Sequence, residues 1–178
     1  MEGETPLRQA QLVMLRMLKI FDHICKKHKL TYWLEAGTLL GAVRHHGFIP
    51  WDDDLDVSML RKDYERFIRL APDELPSDIF MQTEKSDPGY FNPAVPLKLR
   101  DKNSLLIEPH EVEDKHIHQG IFIDIFPYDT VPEKVSDYIK DKKRTKRLLK
   151  IKRAKLLPRR RAGSSYFKYK LISLGYSL

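Results

Sequence analysis

The sequence predicts an α/β (α+β) fold, in which helices flank a mixed β-sheet and a basic helical extension follows. Segments with the apolar spacing of helices are intermixed with short segments that have the two-residue alternation of strands. The strongest strand pattern, GIFIDIF at 120–126, follows several weaker ones, which implies both local hairpins and helical crossovers. A long, very basic helical segment then closes the pattern.

The first elements form a helix–strand–helix unit. Apolar residues recur every three or four positions over 7–30 and predict an amphipathic helix. The aromatic and β-branched stretch TYWLE, 31–35, predicts a strand. The Gly37-Thr38 step breaks that strand, and we expect Thr38 to cap a helix over 39–45.

The remaining elements are read from turn residues and alternation. A turn around Pro50 leads into a predicted strand at 54–60 and a helix at 61–70. Three short segments between Asp-, Pro- and Gly-rich turns are weaker strand candidates. They are 79–83, 95–100 and 105–108. The basic segment 132–157 predicts the last helix.

Charge divides the chain into two parts. The net charge is +7, but the residues from Lys134 onward hold 16 Lys and Arg against two acidic residues. The preceding residues hold 16 basic and 23 acidic residues, so an acidic body carries a basic extension. We therefore expect an acidic body domain at 1–131 and a basic helical extension at 132–178.

Composition favours a cytoplasmic protein. No run approaches the roughly 18 apolar residues that would span a bilayer, and the N-terminus lacks the basic-then-apolar order of a signal peptide. Cys25 is the sole cysteine, which excludes an intrachain disulfide and favours a reducing compartment. Its helical spacing predicts a small buried side chain rather than a nucleophile.

The aspartates that follow Trp51 predict a metal site. If 54–60 is a strand, Asp54 and Asp56 project to one side, whereas Leu55 and Val57 point to the buried side. Two carboxylates this close repel each other unless a cation neutralises them. Mg²⁺ is held in this way, typically by one or two carboxylates plus phosphate oxygens.

Asp124 is the candidate third carboxylate. It lies between Phe122 and Phe126 on one face of the predicted strand, and the isoleucines occupy the other face. An ionised aspartate in such a strand needs a partner, which the same metal would supply. A hydrogen-bonded strand residue or a turn anchor is the alternative reading.

Gly37-Thr38 supplies a candidate phosphate site. A glycine at a helix N-terminus leaves backbone N–H groups, here with a hydroxyl, directed outward, and such groups bind phosphate. The step is also common as plain capping. Its combination with the downstream acidic pair favours phosphoryl transfer, which uses a phosphate site and a divalent metal together.

Two longer motifs resemble a known family. YWLEAGTLLGAVRHHGFIPWDDDLDVSM and GIFIDIFPYD are similar to the LicD family, the phosphocholine transferases of bacterial cell-surface glycans, with fukutin-related pentitol-phosphate transferases as distant relatives. The resemblance implies a nucleotidyltransferase-like fold. It also implies a CDP-alcohol donor, usually CDP-choline, and a glycan or glycolipid acceptor hydroxyl such as one of teichoic acid, lipopolysaccharide or capsule.

The resemblance also assigns roles to residues of this chain. It implies that Asp54 and Asp56 hold Mg²⁺ or Mn²⁺ and that Asp124 is the third catalytic acid, as a metal ligand or as a base. It also implies that Gly37 and Thr38 contact the donor phosphates. Two readings compete for the neighbouring Asp52 and Asp53. They contact a second metal or the acceptor, or they shape the turn by accepting hydrogen bonds from backbone N–H groups.

Several cationic residues are further candidates. Arg44 and His45 match the family's GAVRH, with His45 a possible proton shuttle and a capping or pairing role the alternative for both. Lys98 and Arg100 would line the sheet and bind phosphate, unless they belong to a solvated edge strand. The His116/His118 pair has a spacing that suits a metal, although a solvated loop is favoured.

The basic extension has several candidate partners. Its cations, interleaved with apolar and aromatic residues, suit an anionic membrane at the inner face of the plasma membrane, or a polyanionic glycan. Packing against further protein is the plain alternative, and nucleic acid is the least favoured partner. The family continues for roughly another hundred residues by typical domain lengths. We therefore expect a fragment, a truncated product or a short variant, with the acceptor site in question.

Two other function classes compete with the transferase. One is a nucleotidyltransferase that acts on nucleic acid or protein and grips the polymer with the basic extension. The other is a truncated, catalytically silent binding module.

Overall fold

A computed structural model describes residues 5–107 and 117–156 and confirms the predicted mixed α/β fold. The elements in chain order are α1 Pro6–Lys27, β1 Tyr32–Leu34, α2 Ala36–His45, β2 Asp56–Leu60, α3 Arg61–Leu70, a 3₁₀ turn Ala71–Asp73, β3 Ile79–Gln82, β4 Leu97–Asp101, β5 Phe122–Tyr128 and α4 Val135–Leu156.

The five strands form one mixed sheet in the order β1-β2-β5-β4-β3. β2 and β5 run parallel, and the other three neighbouring pairs are antiparallel. A parallel pair requires a crossover connection, and here α3, β3 and β4 all lie between its two strands in the chain. The strand with the strongest sequence pattern, β5, therefore lies at the centre of the sheet.

One face of the sheet carries the hydrophobic core. Alternate residues of the two central strands, including Val57, Ile123 and Ile125, are 0% exposed and cluster with apolar residues of α1 and α3. The ring of Phe21 on α1 lies 4.9 Å from that of Phe67 on α3. The opposite face of the central strands carries polar and aromatic side chains, with Asp56 and Asp124 among them.

A buried glutamine ties α1 to the loop that carries the aspartates. Gln11 is 2% exposed, and its side-chain amide donates to the carbonyl oxygens of Ile49 (3.3 Å) and Asp52 (2.9 Å). We call residues 46–55 the aspartate loop. Because Gln11 lies on the core-packed face of α1, the position of this loop depends on the helix.

The structure corrects several element boundaries. α2 begins at Ala36 rather than at residue 39, so Thr38 lies inside the helix and is not its cap. β2 begins at Asp56, which places Asp54 before the strand. Residues 105–107 form no strand, and Glu108 lies outside the described residues. β4 lies inside the sheet, so the reading of Lys98 and Arg100 as residues of a solvated edge strand is wrong.

The described residues fall into two compact units, divided between Asp129 and Thr130. The first unit contains the sheet, α1, α2 and α3, and the second contains α4. The cationic side chains of α4 from Lys140 to Lys150 are exposed. Among the described residues, no helix has the length and apolar character needed to cross a bilayer.

Gly41 provides a test of how α2 holds the aspartate loop. A Cβ at Gly41 would lie 2.6 Å from the Gly47 carbonyl oxygen and 2.9 Å from the Ile49 nitrogen. Alanine normally favours a helix interior, but here the contacts are with backbone, so Gly41→Ala should lower the free energy of unfolding by roughly 1–3 kcal/mol. Urea denaturation measures this loss.

Gly47→Ala is the matched control, because its added Cβ would meet nothing nearer than the His45 carbonyl oxygen at 4.0 Å. We expect that variant to unfold close to the wild-type midpoint. Equal midpoints for both variants would show that the loop does not depend on close approach at Gly41.

Candidate active site

The parallel pairing of β2 and β5 places two aspartates side by side. Asp56 and Asp124 are register partners, and partners on adjacent strands project to the same face. Lys98 on β4 is the register partner of Asp124 on its other side. Glu35, directly after β1, extends the row, since its backbone N–H donates to the Asp56 carbonyl oxygen at 3.1 Å.

Asp54 joins the same face from the aspartate loop. Asp54 precedes β2 and is half-buried, and it lies close enough to Asp56 and to Lys98 to interact electrostatically with both, whereas the next residue, Leu55, is 1% exposed and belongs to the core. The backbone N–H of Asp124 donates to the Leu55 carbonyl oxygen at 2.9 Å, which fixes this part of the loop against β5. We call Glu35, Asp54, Asp56 and Asp124 the carboxylate cluster.

Crowding of negative charge in the cluster changes its acidity. Burial raises the pKa of Asp56 to about 7, and the charges of Asp54, Asp124, Glu35 and Asp52 act in the same direction. Burial, with the charges of Asp52 and Asp53, also raises the pKa of Asp54. A bound cation would relieve this repulsion.

Lys98 is a cation already built into the row. Its ammonium lies 3.2 Å from Asp124 Oδ1 and 3.3 Å from the centre of the Phe122 ring, and the residue is 2% exposed. Arg100 is 0% exposed and donates to Gln82 Oε1 (2.6 Å) and to the Gly120 carbonyl oxygen (2.9 Å). Lys98 thus lies at the cluster, whereas Arg100 links β4 to β3 and to the approach of β5.

Thr38 contacts the site through a hydrogen bond that the sequence did not predict. Its hydroxyl is buried and accepts from the Asp56 backbone N–H at 2.8 Å, so it does not face outward as expected. A Cβ on Gly37 would lie 2.8 Å from Asp52 Oδ2, which places that carboxylate at the N-terminal end of α2. The backbone N–H of Asp52 donates to the Ile49 carbonyl oxygen at 3.0 Å. These contacts favour a turn-shaping role for Asp52, whereas Asp53 is exposed.

The remaining predicted residues lie away from the cluster. Arg44 and His45 are exposed in the last turn of α2, about 10 Å along the helix axis from Gly37 at 1.5 Å per residue. The His118 ring is half-buried and stacks on Phe80 with centroids 4.9 Å apart, so it is not in the solvated loop we expected. Burial, then the charge of Arg100, lowers the pKa of His118. His116 lies outside the described residues.

Three residues of this face were not predicted from the sequence: Glu35, Ser58 and Tyr128. Glu35 accepts hydrogen bonds from the hydroxyl groups of Ser58 and Tyr128. Tyr128 could have been predicted, because the two-residue alternation that places Asp124 and Phe126 on one face places Tyr128 there as well. Glu35 gave a weaker signal, since its place beside Asp56 depends on the pairing of β1 with β2.

The cluster fits a hard divalent cation by its chemistry. It offers carboxylate oxygens, which Mg²⁺ and Mn²⁺ prefer, and burial together with the neighbouring carboxylates raises the pKa values of Asp54 and Asp56. Within 5–107 and 117–156, no three His, Cys, Asp or Glu side chains already stand at the spacing of a metal site. The cluster therefore suits a divalent cation by its oxygen donor atoms and its negative charge, and not by a preformed coordination geometry.

Comparison with known proteins agrees with the motif resemblance. The model of the LicD/FKTN/FKRP nucleotidyltransferase domain matches residues 29–163. Lipopolysaccharide cholinephosphotransferase LicD of Haemophilus influenzae is 38% identical over 126 residues, which are 71% of this chain and 45% of that protein. Ribitol 5-phosphate transferase FKRP of human and of mouse is 56% identical over 32 residues, 18% of this chain and 6% of FKRP.

The family-model match at 29–163 covers the five strands and the carboxylate cluster, and the chain spans less than half the length of these relatives. The matched region includes both motifs from which the resemblance was predicted. The chain belongs to the LicD/FKTN/FKRP nucleotidyltransferase family.

Proposed function

We propose that this chain is the nucleotidyltransferase-fold part of a Mg²⁺- or Mn²⁺-dependent phosphotransferase. It moves phosphocholine, or a related phospho-alcohol, from a CDP-alcohol donor to a hydroxyl of a cell-surface glycan. The observation that carries the proposal is the parallel pairing of β2 with β5, which gathers Asp56 and Asp124 beside Asp54. The choline and lipopolysaccharide parts rest on the name of the Haemophilus influenzae relative.

Asp54, Asp56 and Asp124 are the residues that would hold the metal. When bound, the cation would neutralise the donor diphosphate and make the distal phosphorus easier to attack. The chain positions these ligands through backbone contacts. The Thr38 hydroxyl holds the Asp56 N–H, and the Leu55 carbonyl oxygen holds the Asp124 N–H.

The transfer itself needs a proton acceptor and an in-line approach. A carboxylate oxygen of the cluster accepts the proton of the acceptor hydroxyl, and the hydroxyl oxygen attacks the distal phosphorus. The bond from that phosphorus to the bridging oxygen breaks, and CMP leaves. The Lys98 ammonium orients Asp124 by holding its Oδ1 atom.

The predicted residues outside the carboxylate cluster are candidates for contact with the donor and the acceptor. We propose that the backbone at Gly37, in the first turn of α2, contacts a donor phosphate, since helix N-termini favour anions. Arg44, His45 and Asp53 are exposed and accessible to either substrate. The cations of α4 are proposed to contact a glycan acceptor or the inner face of the plasma membrane, at about 1 kcal/mol per cation near an anionic surface.

Removal of one cluster carboxylate tests the transferase proposal. Asp56→Asn should lower the rate of transfer from CDP-choline roughly a hundredfold or more, because a neutral amide binds the metal ion poorly and the charge of the donor diphosphate is then less well neutralised. Mg²⁺ should raise the Tm of the wild type but not that of the variant. Transfer is measured by CMP release, and Tm by a thermal melt with and without EDTA.

Asp73→Asn is the control for charge and residue type, since Asp73 is exposed in the 3₁₀ turn outside the cluster. It should keep both the transfer rate and the Mg²⁺ response. Near-wild-type transfer by Asp56→Asn would contradict the metal assignment. Incorporation of labelled nucleoside triphosphate into RNA or protein would instead support the nucleotidyltransferase alternative.

The acidity of Asp56 gives a pH prediction for the metal-free protein. Its pKa is raised from 3.8 to about 7, so the folded state retains a proton that the unfolded state releases. Stability should therefore fall as pH rises from about 4 to about 7, with the loss complete above that range. Asp56→Asn removes this contribution and should be the more stable protein at about pH 8.

Urea unfolding in EDTA at about pH 4.5 and about pH 8 measures the effect. The difference between variant and wild type should be smaller at the lower pH, because the folded state still keeps the Asp56 carboxyl protonated and uncharged there, whereas at about pH 8 it is ionised in both states. For a chain of this size, a gain of about 1 kcal/mol corresponds to roughly 2–4 °C in Tm. The same pH slope in both proteins would show that Asp56 is not the group that titrates.

A further inference from the structure

Two aromatic rings stand beside the carboxylate cluster on the same face of the sheet. Trp33 is the register partner of Ser58, and Tyr128 is the register partner of Leu60. The rings of Trp33 and Tyr128 are nearly perpendicular, at 74°, with centroids 5.2 Å apart. Trp33 is half-buried and Tyr128 is 44% exposed, so a ligand at the cluster can reach this aromatic pair.

Glu35 joins the aromatic pair to the cluster. One oxygen of its carboxylate accepts from the Tyr128 hydroxyl, and the other accepts from the Ser58 hydroxyl. These two bonds fix the orientation of the carboxylate, and each oxygen keeps further acceptor capacity. The backbone of Glu35 is bonded to that of Asp56, so a fixed negative charge lies between the aromatic rings and the proposed metal ligands.

The charge around this position favours a cationic ligand. The carboxylates of Glu35, Asp56 and Asp124 lie side by side on adjacent strands, and Lys98 pairs with Asp124 among them. Arg61, which follows Leu60 in the chain, forms a two-bond pair with Asp129 at 2.7 Å and is thereby neutralised. The same pair anchors the residue after Tyr128 and so holds the end of β5.

Perpendicular aromatic rings with an adjacent carboxylate are the arrangement that recognises a quaternary ammonium group. We propose that Trp33, Tyr128 and Glu35 form the subsite for the quaternary ammonium group of the transferred alcohol, as in phosphocholine. The proposal rests on the transferase function above and names the alcohol class. A neutral polyol would gain no attraction from the ring faces, because that attraction acts on positive charge.

The position of the subsite suits such a donor. In phosphocholine a short ethylene linker separates the ammonium group from the phosphate, so the two binding positions must be neighbours. Glu35 and Asp56 lie on adjacent strands, whose spacing is about 4.8 Å. The ammonium position at Glu35 is therefore next to the phosphate position at the metal ligands.

Donor preference tests the subsite. Calorimetric titration with Mg²⁺ should show tighter binding of CDP-choline than of CDP-glycerol by the wild type. Trp33→Leu and Tyr128→Leu should each weaken CDP-choline binding roughly fivefold or more, which corresponds to about 1 kcal/mol per ring. CDP-glycerol binding should change less than twofold. Tyr128→Phe keeps the ring and should retain the preference for choline, which separates the ring face from the hydroxyl group.

A second measurement tests the subsite without the nucleotide. The chain has two tryptophans, so in a Trp51→Phe background the intrinsic fluorescence reports Trp33 alone. Choline should change this fluorescence saturably, and its neutral isostere 3,3-dimethyl-1-butanol should not. Thermal melts of every variant show whether a lost signal comes from unfolding.

The outcomes separate the subsite from the transferase function. Equal affinity of the wild type for CDP-choline and CDP-glycerol, or equal weakening of both donors by Trp33→Leu and Tyr128→Leu, would overturn the subsite and leave the transferase proposal standing. If no CDP-alcohol binds, the transferase proposal fails, and the fluorescence response to choline decides the subsite by itself. An identical response to choline and to its isostere would overturn it.

Discussion

Repulsion between two carboxylates on adjacent parallel strands is the constraint around which this protein is organised. Asp56 and Asp124 are register partners at the centre of the sheet, so neither can move away without breaking the pairing of β2 with β5. Lys98 meets part of this cost by placing its ammonium on Asp124. Asp56 has no such cation among its described contacts, and burial, reinforced by the neighbouring carboxylates, raises its pKa to about 7. The imbalance explains why the site is suited to a cation from outside.

The aspartate loop is held from the core rather than from the site. Gln11 binds two of its carbonyl groups from α1, and the close approach at Gly41 packs α2 against it. Thr38 then connects α2 to the first residue of β2. The hydrophobic packing of α1 therefore sets the position of the carboxylates, although the apolar residues of the core lie on the opposite face of the sheet.

The fold class and the main acidic residues could be predicted, because two-residue alternation is a local property. It identified the core face of β5 and placed Asp124 opposite the isoleucines before any pairing was known. Strand order is not local. Lys98 was compatible with an exposed edge until β4 proved to lie between β5 and β3.

Contacts that depend on register were missed for the same reason. Glu35 precedes a helix and reads as an ordinary polar residue, and only the antiparallel pairing of β1 with β2 places it beside Asp56. Thr38 was expected to cap α2 because Ser and Thr are favoured at that position. In the fold the helix starts two residues earlier than Thr38, and the hydroxyl instead holds a strand.

The alternation along β1, β2 and β5 has an evolutionary consequence. The residues of the hydrophobic core and the residues of the proposed substrate site occupy opposite faces of these strands, so selection can act on them largely separately. Substitution at Trp33 or Tyr128 would change which ligand is accepted while leaving Val57, Ile123 and Ile125 in place. Single substitutions on the site face of such a sheet can therefore change its substrate preference while each successive variant still folds.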